Sequence, residues 1–227
     1  MKQLLLDIDA EHPHTLDTFV VGQNAEAAHL LRLFAQRQSS SYGERAVYLW
    51  GEAGAGKSHL LQALAFDAAA RYIPADAPLE AFEYSPGINL YLLDDCQQIP
   101  AEAQIAAFNL FNQVKEHQAF FIAVGALPPA ILDVREDLRT RLGWGLIYQL
   151  HGLTDEDKIA ALEGTVAARG ITIPAGVLPY LITHFRRDMP SLSAMVETLV
   201  TVSLETKRPI TLHLLREVMQ LQNSYAN

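Results

Sequence analysis

The chain has 227 residues, half of them apolar, which is enough for one sizeable core and a small second domain. Its formal net charge of −9 at pH 7 makes autonomous binding to nucleic-acid phosphates unfavourable. The one cysteine, Cys96, cannot form an internal disulfide, no Cys/His group has zinc-site spacing, and no apolar run approaches the roughly 20 residues that span a bilayer. These features favour a cytoplasmic protein.

The first part of the chain alternates helix and strand patterns. Apolar residues between 27 and 34 recur at helical spacing, and residues 46–50 form a continuous apolar run typical of a buried strand. A glycine-rich loop at 51–56 follows, and a further helix pattern begins at Ser58. This order predicts helix, strand, loop and helix.

Three more apolar runs predict strands at residues 88–93, 119–124 and 146–150. Between the first two, a helical face follows Pro100, which suits a first turn. Strands that alternate with helices are typical of the α/β class with a parallel, doubly wound sheet.

After Leu150 no strand pattern appears, and four helical segments follow. Their starts are marked by Thr154 with Asp157, by Pro174, by Pro190 and by Thr211. We therefore expect three parts: an N-terminal tail at 1–10, a nucleotide-binding base domain at 11–151 and a small α-helical domain at 152–227.

Residues 51–58, GEAGAGKS, form a complete Walker A motif between a predicted strand and a predicted helix. Glycines let the backbone fold round phosphates, Lys57 reaches the β- and γ-phosphates, and Ser58 can ligate Mg²⁺. A chance glycine-rich turn is the alternative, and the flanking strand and helix argue against it. The predicted contacts to ADP or ATP in this segment are Gly51, Gly54, Ala55, Gly56, Lys57, Ser58 and His59.

Two carboxylates end the strand predicted at 88–93. Asp94 is the candidate for holding the magnesium shell together with Ser58, and Asp95 is the candidate for polarising an attacking water. A solvated aspartate at a strand end is the alternative for Asp95. Cys96 lacks a visible basic partner and is interpreted as a small core residue.

Five segments together resemble the AAA+ core of the DnaA family. They are FVVGQN at 19–24, the Walker A motif, LLDDCQQI at 92–99, LRTRLGWGLIYQL at 138–150 and RRDMPSL at 186–192. The resemblance extends from about residue 18 to the end of the chain. It implies a five-stranded parallel sheet with an α-helical lid over the nucleotide.

The resemblance also implies roles for residues outside the Walker motifs. Gly22 and Asn24 match positions beside the adenine, although a simple helix N-cap is the alternative for Asn24. Arg187 matches the sensor-2 arginine, which reaches the nucleotide phosphates from the lid, and a surface arginine is its alternative.

Arg141 matches the arginine finger, which stabilises phosphoryl-transfer charge in a neighbour's site. Arg139 is a weaker candidate, and a salt-bridged surface arginine is the alternative for both. The strand at 119–124 leads to Ala126, where the family pattern has a polar sensor-1 residue. This departure predicts weak or absent ATP hydrolysis by the chain itself.

Within the DnaA family, the arrangement is similar to the Hda group. The chain ends at Asn227, shortly after the lid, so we expect it to lack DnaA's terminal domains and specific origin binding. The N-terminal segment resembles the QLxL-type peptide that binds the sliding clamp, with an edge strand as the alternative. Its predicted clamp-binding residues are Gln3, Leu4, Leu6 and Ile8.

The Hda resemblance implies a negative regulator of replication initiation. Such a protein binds adenine nucleotide and the DNA polymerase III sliding clamp, and promotes hydrolysis of DnaA-bound ATP. It would contact DNA and the nucleoid only through the clamp and would bind no membrane. A monomer and a homodimer are both compatible with the sequence. One alternative is a DnaA-related helicase loader or motor on single-stranded DNA, against which Ala126 and the acidic charge argue. The other is a nucleotide-regulated adaptor without trans-activated hydrolysis.

Overall fold

The computed structural model describes residues 15–38 and 43–225. Its described residues divide into two compact units, one ending at Gly152 and the other beginning at Leu153. Across those ranges, every helix is too short or too polar to cross a membrane.

The first unit contains five parallel strands in the order β2-β3-β4-β1-β5. The strands are β1 (Ala46–Trp50), β2 (Ala70–Ile73), β3 (Leu90–Leu93), β4 (Phe120–Gly125) and β5 (Leu146–Gln149). Four helices accompany them: α1 (Ala25–Ala35), α2 (Lys57–Ala65), α3 (Ala101–Glu116) and α4 (Glu136–Leu142). The expected α/β class and five-stranded parallel sheet are confirmed.

Helices cover both faces of this sheet. Every residue of β3 and β4 is buried, as a central parallel strand requires. Along β1 the side chains alternate, because Val47 and Leu49 pack with the side chains of α1 and α2, while Ala46 and Tyr48 pack with those of α3. The continuous apolar runs therefore reflect strands that are enclosed from both sides.

Two elements of this unit were not predicted from the apolar pattern. Strand β2 is a four-residue edge strand in which Ile73 alone is fully buried, so it has no continuous apolar run. Helix α4 has seven residues, four of them charged, which is too short for a helical periodicity to stand out. Both elements contribute to the candidate sites described below.

The second unit is a bundle of four helices, α5 (Asp155–Ala167), α6 (Val177–His184), α7 (Met189–Thr206) and α8 (Leu212–Tyr225). The predicted cap of α5 is present: Asp157 N donates to Thr154 Oγ1 at 3.1 Å, and Thr154 N donates to Asp157 Oδ2 at 3.1 Å. Pro190 occupies the first turn of α7, as expected. The bundle has its own apolar core, including Leu181, Leu192, Met195, Leu199 and Leu215.

One predicted helix start is wrong. The sequence pattern suggested that Pro174 opens the second helix of the bundle, but α6 begins at Val177. Gly176 precedes it with a φ of +91°, a left-handed conformation that glycine adopts without strain. Pro174 therefore lies in the preceding turn, where its carbonyl accepts a hydrogen bond from Val177 N at 3.2 Å.

Candidate nucleotide-binding site

The Walker A loop connects β1 to α2 and depends on glycine at three positions. Gly54 and Gly56 have φ values of +81° and +89°, which other residues adopt only with strain. At Gly51, an added Cβ would lie 2.2 Å from the carbonyl oxygen of Leu150, so backbone packing excludes any larger residue. Ala55 is buried between these glycines. The loop therefore has the fixed, open backbone that can surround a phosphate chain.

Lys57 is held inside this loop. Its ammonium group donates to the carbonyl oxygens of Gly51 at 2.7 Å and Glu52 at 2.8 Å. Burial lowers the pKa of Lys57, while the carboxylates of Asp95, Asp94 and Glu52 oppose that shift. An ammonium has three donors, so a third remains to bind an anion such as a phosphate. The described residues fit the polyphosphate of an adenine nucleotide.

Asp94 and Asp95 lie directly after β3, at the end of the sheet where β1 leads into the Walker A loop. Asp94 is buried, and its Oδ2 accepts a hydrogen bond from the Tyr72 hydroxyl at 2.6 Å. Its Oδ1 accepts one from the backbone N–H of Asp95 at 2.9 Å. Asp95 is partly exposed and has a φ of +42°, so the chain turns sharply at this residue.

The donor set suits magnesium. Mg²⁺ in nucleotide sites is bound by one or two protein oxygens together with phosphate oxygens and water. Ser58 begins the first turn of α2 and Asp94 ends β3, and these two residues would supply a hydroxyl and a carboxylate. Over the described ranges no cluster of three or more His, Cys, Asp or Glu side chains forms a metal site.

Asn24 does not cap α1 through its side chain. Instead its Nδ2 donates to the backbone oxygen of His151 at 2.9 Å, and its Oδ1 accepts from His151 N at 2.8 Å. Asn24 is 4% exposed, so the pair is protected from water. Gly22, with a φ of +48°, forms the turn that precedes Asn24. The two residues predicted beside the adenine thus shape a backbone corner that is tied to the end of β5.

The His59 side chain contacts the segment that precedes α1. Its Nε2 lies 3.1 Å from the backbone oxygen of Thr15 and 3.4 Å from Thr18 Oγ1, and its ring is 5.9 Å from that of Phe19. A Cβ on Gly56 would lie 2.8 Å from Phe19 Cε2. The segment at 15–19 therefore packs against the base of the loop, and the His59 side chain holds it there.

At the sensor-1 position, Ala126 contributes only its backbone N–H, which bonds the side-chain amide of Gln97. Ala126 N donates to Gln97 Oε1 at 3.2 Å, and Gln97 Nε2 donates to Asp95 Oδ1 at 3.2 Å. An alanine methyl group has no donor or acceptor with which to orient water. Cys96 is buried, and burial raises the pKa of its thiol to about 12, so it remains protonated at neutral pH.

Arg141 lies in the last turn of α4. Its guanidinium carbon is 5.4 Å from the centroid of the Phe108 ring, which gives a cation–π contact. Its Nε is buried and has no hydrogen-bond partner, and none of the ion pairs in the described part of the chain involves it. Arg139, two residues earlier, is partly buried on the same helix.

The remaining predicted residues lie elsewhere in the chain. Arg187 is in the second unit, where its Nη2 donates to Asp155 Oδ2 at 2.6 Å; both side chains are exposed. Its sensor-2 role stays a prediction. Gln3, Leu4, Leu6 and Ile8 lie outside the described residues.

Fold and loop together define a P-loop nucleotide-binding domain followed by a helical lid. The family model of the AAA ATPase domain matches residues 20–164, and that of the Hda lid domain matches residues 155–219. The chain therefore belongs to the AAA ATPase family. Its second unit is similar to the lid domain of Hda.

Known relatives and structures agree with this assignment. An uncharacterized protein of Haemophilus influenzae is 33% identical over 97% of this chain and 99% of its own length. Domain III of the Thermotoga maritima replication initiation protein DnaA matches with a TM-score of 0.71 at 20% identity, over 91% of this chain and 95% of that structure. AMPPCP-bound DnaA from Aquifex aeolicus matches with a TM-score of 0.68 at 21% identity, over 85% and 66% respectively. The structural likenesses establish the fold.

Sequence reasoning missed two side chains of the site. Tyr72 and Gln97 hydrogen-bond the two carboxylates that follow β3. Tyr72 belongs to a strand that the apolar pattern did not predict, and Gln97 was noted only as part of a family motif. The tyrosine is 22 residues from its partner, so no local pattern connects the two.

Proposed function

We propose that this chain is an Hda-like negative regulator of replication initiation. It holds adenine nucleotide and Mg²⁺ in the loop around Lys57, and supplies Arg141 to the nucleotide site of ATP-bound DnaA. The DnaA of Aquifex aeolicus, whose fold this chain shares, has been solved with AMPPCP bound. This likeness and the Hda lid match support DnaA as the related partner.

The observation that carries the proposal is the state of Arg141. A surface arginine with a structural role is normally neutralised by a carboxylate, as Arg37 is by Asp67 at 2.7 Å. Arg141 instead rests on an aromatic ring and takes part in none of the ion pairs among the described residues. A guanidinium held in this way can bind phosphate oxygens of another molecule in a bidentate manner.

The chain's own site supports a regulatory role rather than a motor. Its Walker A loop and Asp94 fit nucleotide and magnesium binding, but Ala126 offers only a backbone N–H at the sensor-1 position. Asp95 is hydrogen-bonded to Gln97. We therefore expect nucleotide to stay bound with slow or no turnover, so that it serves to stabilise the fold.

The clamp interaction is proposed from residues 3–8 alone. A QLxL-type sequence offers Gln3 for polar contacts and leucines as apolar anchors for a pocket. Anchoring on a DNA-loaded clamp would place the chain near DNA despite its net charge of −9. DNA contact would then be indirect.

The test is phosphate release from DnaA preloaded with ATP, in the presence of the sliding clamp loaded on DNA. The wild-type chain should accelerate release, and Arg141→Ala should reduce the acceleration at least 100-fold, because an arginine finger contributes about 10³–10⁵ to the rate. Arg139→Ala is the matched control on the same helix and should retain most of the activity. Full stimulation by Arg141→Ala, or loss in Arg139→Ala instead, would refute the assignment.

The tail has a separate test. Replacing Gln3 and Leu4 by alanine should abolish binding to the isolated clamp, while nucleotide binding and the fold are kept. Clamp binding that persists in this variant would refute the tail assignment. Binding of DnaA without any acceleration by the wild-type chain would favour the adaptor alternative.

A further inference from the structure

Tyr72 is the one side chain of the edge strand β2 that hydrogen-bonds Asp94 among the described residues. Its hydroxyl donates to Asp94 Oδ2 at 2.6 Å, a short distance typical of a bond to an ionised acceptor. Tyr72 pairs with Leu92 across the parallel ladder. The tyrosine thus reaches past the end of the neighbouring strand to the carboxylate.

The backbone of β2 holds the same residue. Asp94 N donates to the carbonyl oxygen of Ile73 at 2.9 Å, which extends the ladder one residue beyond the end of β3. Strand β2 therefore fixes Asp94 by its main chain and by its side chain. The Tyr72 ring also packs against the apolar core beneath β2, so its hydroxyl is presented to Asp94 from a fixed ring.

The other carboxylate oxygen is also engaged. Asp94 Oδ1 accepts from Asp95 N at 2.9 Å, so each oxygen has one hydrogen bond and the plane of the carboxylate cannot rotate freely. An ionised carboxylate accepts about four hydrogen bonds or metal bonds in total. One lone pair on each oxygen remains for a cation or its bound water.

We propose that Tyr72 is the positioning residue of the magnesium site, holding Asp94 in the orientation that receives Mg²⁺ bound with nucleotide. This rests on the proposed nucleotide function of the Walker A loop. Hydrogen-bonded partners of metal-ligating carboxylates contribute about 10- to 100-fold to metal affinity, because they remove the need to orient the ligand on binding. Tyr72 acts through Asp94 and contacts no part of the nucleotide in this account.

The experiment measures the affinity of the full chain for a fluorescent ADP analogue, once with Mg²⁺ and once with EDTA. Tyr72→Phe removes one oxygen and keeps the ring, so the fold is retained. Affinity in Mg²⁺ should fall about tenfold, while affinity in EDTA should stay within about twofold of wild type. The Mg²⁺ concentration at half-saturation should rise by a similar factor. An equal loss in both conditions would indicate a merely structural role and overturn the proposal, as would no loss at all.

Tyr148→Phe is the matched control. Tyr148 lies on the opposite edge strand, β5, where its hydroxyl donates to Glu26 at 3.3 Å. Its removal should leave both affinities and the Mg²⁺ requirement unchanged. A magnesium-specific loss in this variant would show that hydroxyl removal at either edge acts non-specifically, and would overturn the assignment to Tyr72.

A double-mutant cycle completes the test. If Tyr72 acts through Asp94, then Tyr72→Phe should cause no further loss of Mg²⁺-dependent affinity in an Asp94→Ala background. Additive losses would overturn the proposal. If the wild-type chain binds no nucleotide in either condition, the proposed function itself fails; binding without any Mg²⁺ dependence refutes only the present inference.

Discussion

The Walker A loop and helix α4 hold their basic side chains in opposite ways. Lys57 is buried and donates to two carbonyl oxygens of its own loop, with three carboxylates acting on it. Arg141 lies over the Phe108 ring, and its Nε is buried without a hydrogen-bond partner. The lysine proposed to bind the chain's own nucleotide is thus positioned by internal bonds, whereas the arginine proposed to serve another molecule has no ion-pair partner among the described residues.

The comparison predicts first that the loop tolerates no change in its backbone packing. Gly51→Ala should destabilise the fold by about 3 kcal/mol, because the added Cβ would overlap the Leu150 carbonyl oxygen. Gly54→Ala meets no atom within 4 Å and pays only for its left-handed φ, about 1 kcal/mol. Urea unfolding of the two variants would measure both values. If the two variants lost the same free energy of unfolding, then close packing of Gly51 against the Leu150 carbonyl would not be what excludes a side chain there.

The second prediction concerns the charge inside the loop. Lys57→Met should reduce nucleotide affinity about 100-fold, or about 2.7 kcal/mol, because a buried charge-assisted contact to phosphate is lost. Lys115→Met is the control on α3, where the ammonium lies 4.3 Å from the centroid of the Trp144 ring. Its affinity should match that of wild type in calorimetric titration. If Lys57→Met kept the wild-type affinity for nucleotide, then Lys57 would not be the residue that binds the phosphates.

The third prediction separates two interpretations of Asn24. If Asn24 were a simple N-cap, Asn24→Ser would be nearly neutral, since serine caps equally well. The structure instead gives Asn24 two hydrogen bonds to the backbone of His151, which serine is too short to reproduce. Asn24→Ser and Asn24→Ala should both cost about 1–2 kcal/mol in unfolding. A neutral serine variant would restore the capping interpretation.

The sequence predicts the central part of the fold well, because its strands and helix starts are marked by patterns within single short segments. Continuous apolar runs marked β1, β3 and β4, which are enclosed on both faces, and a capping pair marked the start of α5. Edge strand β2 and helix α4 had no such pattern. Strand β2 buries one side chain and helix α4 buries two, and so few apolar positions do not produce a visible periodicity. Apolar runs predicted four strands, and the family resemblance, rather than periodicity, indicated that the sheet has five.

The site divides in the same way. Lys57, Ser58 and Asp94 lie in short motifs whose spacing is dictated by one turn or one strand end, so they could be read from the sequence. The contacts of Asp94 with Tyr72 and of Asn24 with His151 join residues 22 and 127 positions apart. Such pairs form only when the sheet is assembled, and a single sequence contains no signal for them.

The central claim is that Arg141 serves another molecule while the Walker loop serves this chain. The most direct test measures both properties on the Arg141→Ala variant: its own affinity for ADP, and the rate of phosphate release from ATP-bound DnaA with clamp-loaded DNA. We predict ADP affinity within about twofold of wild type, together with loss of the stimulated release. Unchanged stimulation, or a loss of the chain's own ADP affinity, would contradict the account.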